Sequence, residues 1–363
     1  MNKILNVCIV AGARPNFIKV APLIRAIRQA EGIDYQLVYA GTADDPTLEG
    51  SLFSDLQIDR PNVFLGVDCQ SLNELTGRVM GEFEKYLAAT PTDVVIVVDD
   101  LASTMAAAIV TKKQGIRLAH LVAGTRSFDI RMPKEINRLV IDGLSDLLFT
   151  AGISNNSITS REGADESRVF MVGNILIDNL RYNHQRWQRP AVMDELRLDN
   201  GRYILFTLNR KALMEDEASL NDMLQSLTQK AGSTPIVAPL RGLAAQTVAR
   251  LLHPMPANFH LVQPLGYLEF GYVAAHAMGV VTDSGNVAEE ATFNAVPCIT
   301  LNSYTEHIET VKQGTNVLVG EDAAQLGLAV EQMVKGQWKK STLPERWDGR
   351  TAERIVRILM ETT

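Results

Sequence analysis

The sequence predicts an α/β protein of two doubly wound, Rossmann-like domains facing a central cleft. Short apolar runs alternate with helix-patterned segments along the chain, as in parallel sheets covered by helices on both faces. The alternation lapses once, in a polar stretch after residue 185, and then restarts. At 363 residues the chain is also longer than one hydrophobic core usually serves. The expected layout is a first domain over 1–185, a second over 186–345, and a terminal helix over 346–363 placed to cross back to the first domain.

Taken in order, the first-half strands are ILNVCIVA, YQLVYAG, DVVIVV, IRLAHLVA, DLLFTA and RVFMVG. The segment YNHQRWQRPAVMDELRLDNG is polar, lacks strand character and reads as the linker region. The second-half strands are YILFTLN, TPIVAP, FHLVQP, GVVTDS, PCITLN and NVLVG. PERWDGRTAERIVRILMETT reads as the terminal helix. Two such domains in succession leave a cleft lined by strand ends, a natural place for a small molecule.

A hydrophobic content of 46% and a charged content of 21% fit a soluble globular protein. The net charge of −7 argues against a nucleic-acid or anionic-membrane binder, so any anionic ligand needs a local basic site. Cys8, Cys69 and Cys298 form no metal spacing and no disulfide framework, and the first and last read as buried free thiols. MNKILNVCIVAGARP is too short in its apolar part to span a membrane and runs straight into a strand-turn-helix pattern. A cytoplasmic protein is the expectation.

Four stretches carry candidate chemistry. In AGARPNFIKVAPLIRAI, Pro15 suits a first helical turn, and Arg14 and Lys19 stand near a helix N-terminus that disfavours cations. A bound anion resolves that conflict; so does a carboxylate partner or solvent. In DVVIVVDDLASTMAAAIV, one of Asp99 and Asp100 is expected to cap the following helix, leaving the other for the cleft. RLAHLVAGTRSFDIRMPKEINR empties a buried strand into a loop carrying Arg126, Asp129 and Arg131, and Pro133 then opens a helix. In open α/β sheets ligands bind at such strand ends.

MGVVTDSGNVAEEATF ends a strand at Thr282 to Gly285 and starts a helix near Asn286, with backbone N–H groups at Ser284 and Gly285 suited to a phosphate. Glu289 and Glu290 are placed in that helix's first turn, either complementing the dipole or accepting sugar hydroxyls. No glycine-rich dinucleotide fingerprint, Walker motif, HExxH or GxSxG is present. None of the six histidines shows metal-ligand spacing. His120 and His276 read as core residues, while His307 follows a strand in NSYTEHIET.

Together, GARPNFIKVAPL, VVIVVDDLAST, HLVAGTRS with PKEINR, VGNILID, VTDSGNVAEEA and TEHIETVKQGT occur in one order. Their sum resembles the non-hydrolysing UDP-N-acetylglucosamine 2-epimerases, over nearly the whole chain. The resemblance implies a glycosyltransferase-B fold and a cytoplasmic homodimer, taking part in cell-surface polysaccharide biosynthesis. It implies a UDP-sugar partner, UDP-GlcNAc or a related UDP-HexNAc, and no metal or nicotinamide cofactor. The reaction implied is loss of UDP and of the C2 proton to give a glycal, then re-addition to give the manno epimer. Matched binding positions are Arg14 in the first turn of its helix, Ser284 and Gly285 at the phosphates, Glu290 at the ribose and Phe270 near the uracil. Lys19 and Arg210 are further binding candidates.

The chemical positions are altered. The family writes HVEAGLR where this chain has HLVAGTR, so Val122 stands for a glutamate. PEExNR has become PKEINR, putting Lys134 in place of the first glutamate and leaving Glu135. GHRRE has become LNRKA, with Asn209 for the histidine, and HGDT has become VDDL, with Asp100 keeping the aspartate. Asn16 replaces a glutamate, and Asn302 and His307 replace arginines. The catalytic candidates are Asp100 as base, with Glu135, Lys134 and His307 in rearranged roles. Three readings stay open: a UDP-HexNAc epimerase of altered activity, a hydrolysing epimerase or glycosyltransferase on the same scaffold, and a non-catalytic UDP-sugar-binding protein.

Overall fold

The computed structural model describes residues 4–48 and 50–362, so Met1–Lys3 of the N-terminal stretch lie outside it. The chain divides into two compact units, Met1–Tyr182 with Glu345–Thr363, and Asn183–Pro344. The first unit runs β1 (Leu5–Ala11), α1 (Arg14–Gln29), β2 (Ile33–Tyr39), α2 (Leu52–Leu56), β3 (Val63–Phe64), α3 (Leu72–Ala89) and β4 (Val94–Val98). It continues through α4 (Ala102–Lys113), β5 (Arg117–Ala123), α5 (Pro133–Leu144), β6 (Leu147–Thr150), α6 (Ile153–Arg161), β7 (Val169–Met171) and α7 (Ile175–Asn183).

The second unit begins with α8 (Ala191–Glu195), β8 (Ile204–Phe206), α9 (Lys211–Glu215), α10 (Glu217–Ala231), β9 (Ile236–Ala238), α11 (Gly242–Leu251) and β10 (Phe259–Leu261). It is completed by α12 (Tyr267–Ala275), β11 (Gly279–Thr282), α13 (Gly285–Phe293), β12 (Cys298–Thr300), α14 (Ile308–Lys312), β13 (Asn316–Leu318) and α15 (Ala323–Val334). The last helix, α16 (Thr351–Thr362), belongs to the first unit.

Among the described residues the first unit holds a seven-stranded parallel sheet, ordered β3-β2-β1-β4-β5-β6-β7. The second holds six parallel strands, ordered β10-β9-β8-β11-β12-β13. Strands buried on both faces need no polar alternation, which is why β4 can read VVIVV with all five residues buried. The strand order reverses between β1 and β4 in one sheet and between β8 and β11 in the other. Their carboxyl ends are the crevices where doubly wound sheets bind ligands. Asp99 and Asp100 follow β4, and Asp283, Ser284 and Gly285 follow β11, so the sequence motifs fall at these points.

Two features depart from expectation. The segment read as a linker is part of the second unit: Met193 and Leu198 are buried in one core with Tyr203, Leu205 and Val273. Its few apolar residues are the ones that matter, and the surrounding polar residues mask them. β3 is only two residues long, too short to leave a periodic signal. Cys8 and Cys298 are buried free thiols, and burial pushes the Cys8 thiol up to about 12. His276 is only partly buried and stacks on Tyr272 at the end of α12. No helix among the described residues is long and apolar enough to cross a membrane.

α16 docks through Ala352, Ile355, Val356 and Leu359, all buried and spaced as one helical face. The Ala352 N–H donates to Asp178 Oδ2 at 2.7 Å. Burial pushes the Asp178 carboxyl up from 3.8 to about 6. A raised acid favours the protonated folded state: its contribution is full below about pH 4 and is lost as pH rises through about 6. Asp178→Asn keeps the acceptor and removes the buried charge, so it should stabilise the protein by about 1–3 kcal/mol at pH 7.5 and by little at pH 4. Thermal unfolding at the two pH values checks this.

Candidate active site

At the end of β1 the chain turns through Gly12 and Ala13 into α1, with Pro15 in the first turn. A Cβ on Gly12 would sit 2.0 Å from Ser103 Oγ, so only glycine lets β1 end this close to α4. Asn16 Oδ1 accepts from the Gly12 and Ala13 N–H groups at 2.8 and 3.2 Å. Its Nδ2 donates to Asp99 Oδ2 at 2.8 Å, and Lys19 Nζ lies 2.6 Å from Asp99 Oδ1. Lys19 therefore has a carboxylate partner and sits in the second turn of α1, beyond the strongest part of the helix dipole. Arg14 is the first residue of α1 and partly buried.

Neither Asp99 nor Asp100 caps α4, contrary to the sequence expectation. Leu101 holds that position, and the Thr104 hydroxyl closes the turn by accepting from its N–H at 3.1 Å. Both aspartates are drawn to cations instead. Arg138 donates to Asp100 Oδ2 through Nε at 2.8 Å and Nη2 at 2.5 Å, and Lys134 Nζ lies 3.7 Å from Oδ1. Burial pushes the Asp100 carboxyl up, but the charges of Lys134 and Arg138 outweigh it and hold the group below its usual range. Lys134 itself is mostly exposed.

Glu135 faces the same guanidinium. Its Oε2 accepts from the Ser127 N–H and hydroxyl, both at 2.9 Å, and from Arg138 Nη1 at 3.1 Å, while Oε1 accepts from the Phe128 N–H at 3.0 Å. Burial raises the carboxyl, but these bonds win and hold it low. The loop between β5 and α5 is thus tied down by Glu135. Arg126, expected at the site, is 3% exposed and bridges Asp142 and Glu162 at 2.7 and 2.5 Å. Asp129 and Arg131 pair with each other in the same loop.

Sequence reasoning treated His120 as a core residue, and its reach was not legible. Its Nδ1 meets Asp142 Oδ1 at 2.5 Å and its Nε2 meets the Asp99 carbonyl at 2.8 Å. Both partners are acceptors, so each contact needs a hydrogen on the ring. Asp99 and Val122 have φ of 59° and 74°, and β5 carries a bulge between Leu121 and Ala123. For a β-branched residue this is a strained conformation, costing about 1–3 kcal/mol.

In the second unit, Asp283 Oδ2 accepts from the Asn209 and Arg210 N–H groups at 2.7 and 2.5 Å, tying the end of β8 to the end of β11. Its Oδ1 is buried with no hydrogen-bond partner, and burial raises the carboxyl above its usual value. Arg210 donates to Asn302 Oδ1 and lies 3.5 Å from Glu321 Oε1. Ser284 caps α13 with its own N–H donating to Thr282 Oγ1 at 3.0 Å, and Gly285 is the first helical residue. The histidine ring of His307 lies against Gly285. Phe270, on α12, is partly buried against the core.

Glu289 and Glu290 lie in the second turn of α13, not the first, so dipole complementation does not explain them. Both are buried. Glu289 Oε1 meets His307 Nδ1 at 2.7 Å. Burial, with a smaller push from Glu289, raises Glu290 to about 8. No group of metal-binding side chains occurs among the described residues.

A family model described as UDP-N-acetylglucosamine 2-epimerase matches residues 25–360. The chain belongs to that family. A UDP-N-acetylglucosamine 2-epimerase of Methanocaldococcus jannaschii is 33% identical, over 98% of this chain and 99% of that one. Its crystal structure in complex with UDP-GlcNAc and UDP matches with a TM-score of 0.85, over 98% of this chain and 100% of that one. The UDP-2,3-diacetamido-2,3-dideoxy-D-glucuronate 2-epimerase of Pseudomonas aeruginosa is 31% identical, over 87% of this chain and 88% of that one. The fold is the glycosyltransferase-B type common to these 2-epimerases.

Within this 2-epimerase scaffold, Asp100, Lys134, Glu135 and Arg138 form one charged cluster, and Lys19 pairs with the adjacent Asp99. Arg138→Met would remove the guanidinium that Asp100 and Glu135 share, leaving them only Lys134 and the Ser127 and Phe128 donors, and should cost about 3–5 kcal/mol, read as a fall in the urea midpoint. Val122→Gly should raise stability by about 1 kcal/mol, because glycine adopts the positive φ without strain. An unchanged or lower Tm would show that Val122 packing outweighs the strain.

Proposed function

We propose that the protein binds a UDP-N-acetylhexosamine and that its 2-epimerisation runs slowly, with Asp100 as the base. The observation that carries this is the state of the carboxylates. Asp100 is neutralised by Arg138 and Lys134, Asp99 by Lys19, and Glu135 by two N–H groups, a hydroxyl and Arg138. A carboxylate held below its usual range is a weak base toward a carbon-bound proton. Val122 and Asn209 supply no exchangeable acid or base at their positions. The binding side is better provided, with Arg210, Ser284, Gly285, His307 and Glu290 around the start of α13 and Phe270 on α12. The crystal structure of the Methanocaldococcus jannaschii relative in complex with UDP-GlcNAc and UDP supports this choice of nucleotide sugar.

In this reading Asp100 takes the C2 proton as the C1–O bond breaks, a C1=C2 bond forms, and UDP leaves with the bonding electrons. Arg210 and the N–H groups opening α13 take up the developing charge on the diphosphate. Arg14 supplies positive charge at the first unit's crevice, while Lys19 is paired with Asp99. A homodimer in the cytoplasm is part of the same reading. The second reading, binding without turnover, is favoured by the loss of proton-transfer groups at Val122 and Asn209.

Proton NMR of UDP-GlcNAc with the protein in D₂O separates them. Line broadening with slow deuterium entry at C2 and a growing manno signal is expected. The combined variant Val122→Glu, Lys134→Glu, Asn209→His should speed the exchange by about 10² or more. Broadening without exchange would leave only the binding reading, and no broadening would remove both.

A further inference from the structure

We propose that His307, held by Glu289, is a titrating ligand for the diphosphate, so that this protein grips its nucleotide sugar in acid and loosens as pH rises. The inference rests on the UDP-sugar reading above. His307 Nδ1 lies 2.7 Å from Glu289 Oε1, so Nδ1 carries a hydrogen toward the carboxylate. The side chains are 16% and 7% exposed, which keeps the pair mostly out of water without closing it off.

The opposite edge of the ring lies against the start of α13. A Cβ built on Gly285 would fall 2.3 Å from His307 Cδ2 and 2.5 Å from Nε2, so this approach requires glycine there. The backbone that carries the ring is also held in place. The His307 N–H donates to Thr305 Oγ1 at 3.0 Å, and its carbonyl accepts from the Thr310 N–H and hydroxyl at 3.0 and 2.7 Å.

The electrostatics at this spot pull in two directions. The N-terminus of a helix carries a partial positive charge, so an imidazolium beside it is disfavoured when no anion is bound. Glu289 offsets that penalty from one side. A diphosphate on the α13 N–H groups would offset it from the other. Protonation of His307 and binding of the anion are therefore linked, each favouring the other.

The remaining ionisable groups of the surrounding elements are Glu290 on α13, Asp283 at the end of β11, Glu306 before α14, Glu309 and Lys312 on α14, and Arg210 after β8. Of these, burial raises Glu290 and Asp283 and so weakens their support for a charged ring, which leaves Glu289 at contact distance as the main carboxylate partner.

The test is calorimetric titration of UDP-GlcNAc into the full-length protein between about pH 5.5 and 8.5. That diphosphate is esterified at both ends, so its own charge is constant over the range. Affinity should fall by about tenfold from acid to base as the imidazolium is lost. His307→Arg should keep the acid-side affinity and remove most of the slope. His307→Gln should bind weakly throughout, and Glu289→Gln should move the midpoint to lower pH. Glu290, which titrates near 8, is retained in His307→Arg, so that variant isolates the share due to His307.

A wild-type slope that survives in His307→Arg, or a flat wild-type profile with tight binding, would overturn the proposal while leaving the UDP-sugar reading intact. Absence of binding at every pH would overturn both. The C2–H resonance of His307 gives a second readout: its midpoint should rise when ligand is added, and a fixed midpoint would also overturn the proposal.

Discussion

The first unit depends on one buried guanidinium. Arg138 is 3% exposed and reaches from α5 to Asp100 at the end of β4 and to Glu135 one turn back on its own helix. Three charged groups this deep are tolerable only because they neutralise one another and because N–H groups fill the remaining acceptor sites. Glu135 in turn fixes Ser127 and Phe128, and Asn137 binds the Asp100 carbonyl at 2.8 Å. The crevice end of the sheet is therefore a closed electrostatic unit. That closure explains why Asp100 is stable as a carboxylate and weak as a base.

Beside it runs a second network with the same logic. His120 joins Asp142 to the backbone of Asp99, whose side chain is shared by Asn16 and Lys19. Loops after β1, β4 and β5 are thereby linked through polar bonds. The positive φ values of Asp99 and Val122 persist because these bonds over-determine the backbone around them. At position 122 the positive φ is carried by a valine, a side chain with no proton-transfer group.

The second unit is organised differently. Asp283 clasps the β8 end, the Thr207 and Thr282 hydroxyls share a bond of 2.6 Å, and α13 begins at once. Its charges lie behind the helix start and not across it: Glu289 is used by His307, and Glu290 is held neutral near pH 7 by burial. The positive end of the α13 dipole at the front suits an anion. The two strand-end regions are thus built differently, one around an ion-pair cluster and the other around a helix start.

The order of elements was legible in the sequence because buried parallel strands are continuous apolar runs, and β4, β5, β8 and β11 each announce themselves that way. Proline and glycine marked the starts of α1, α5 and α13 for the same local reason, fixed or permissive φ. The helix start at Ser284 and Gly285 was readable because a helix N-terminus after a strand is a local feature. What the side chains pair with was not readable. Lys19 finds Asp99 across 80 residues, Arg138 finds Asp100 across 38, and Glu289 finds His307 across 18. Local rules assigned these acids to helix caps and dipoles. Tertiary structure gave them to basic side chains instead, because a charge removed from water is stabilised most by a complementary partner at contact distance, and only the fold decides which one that is.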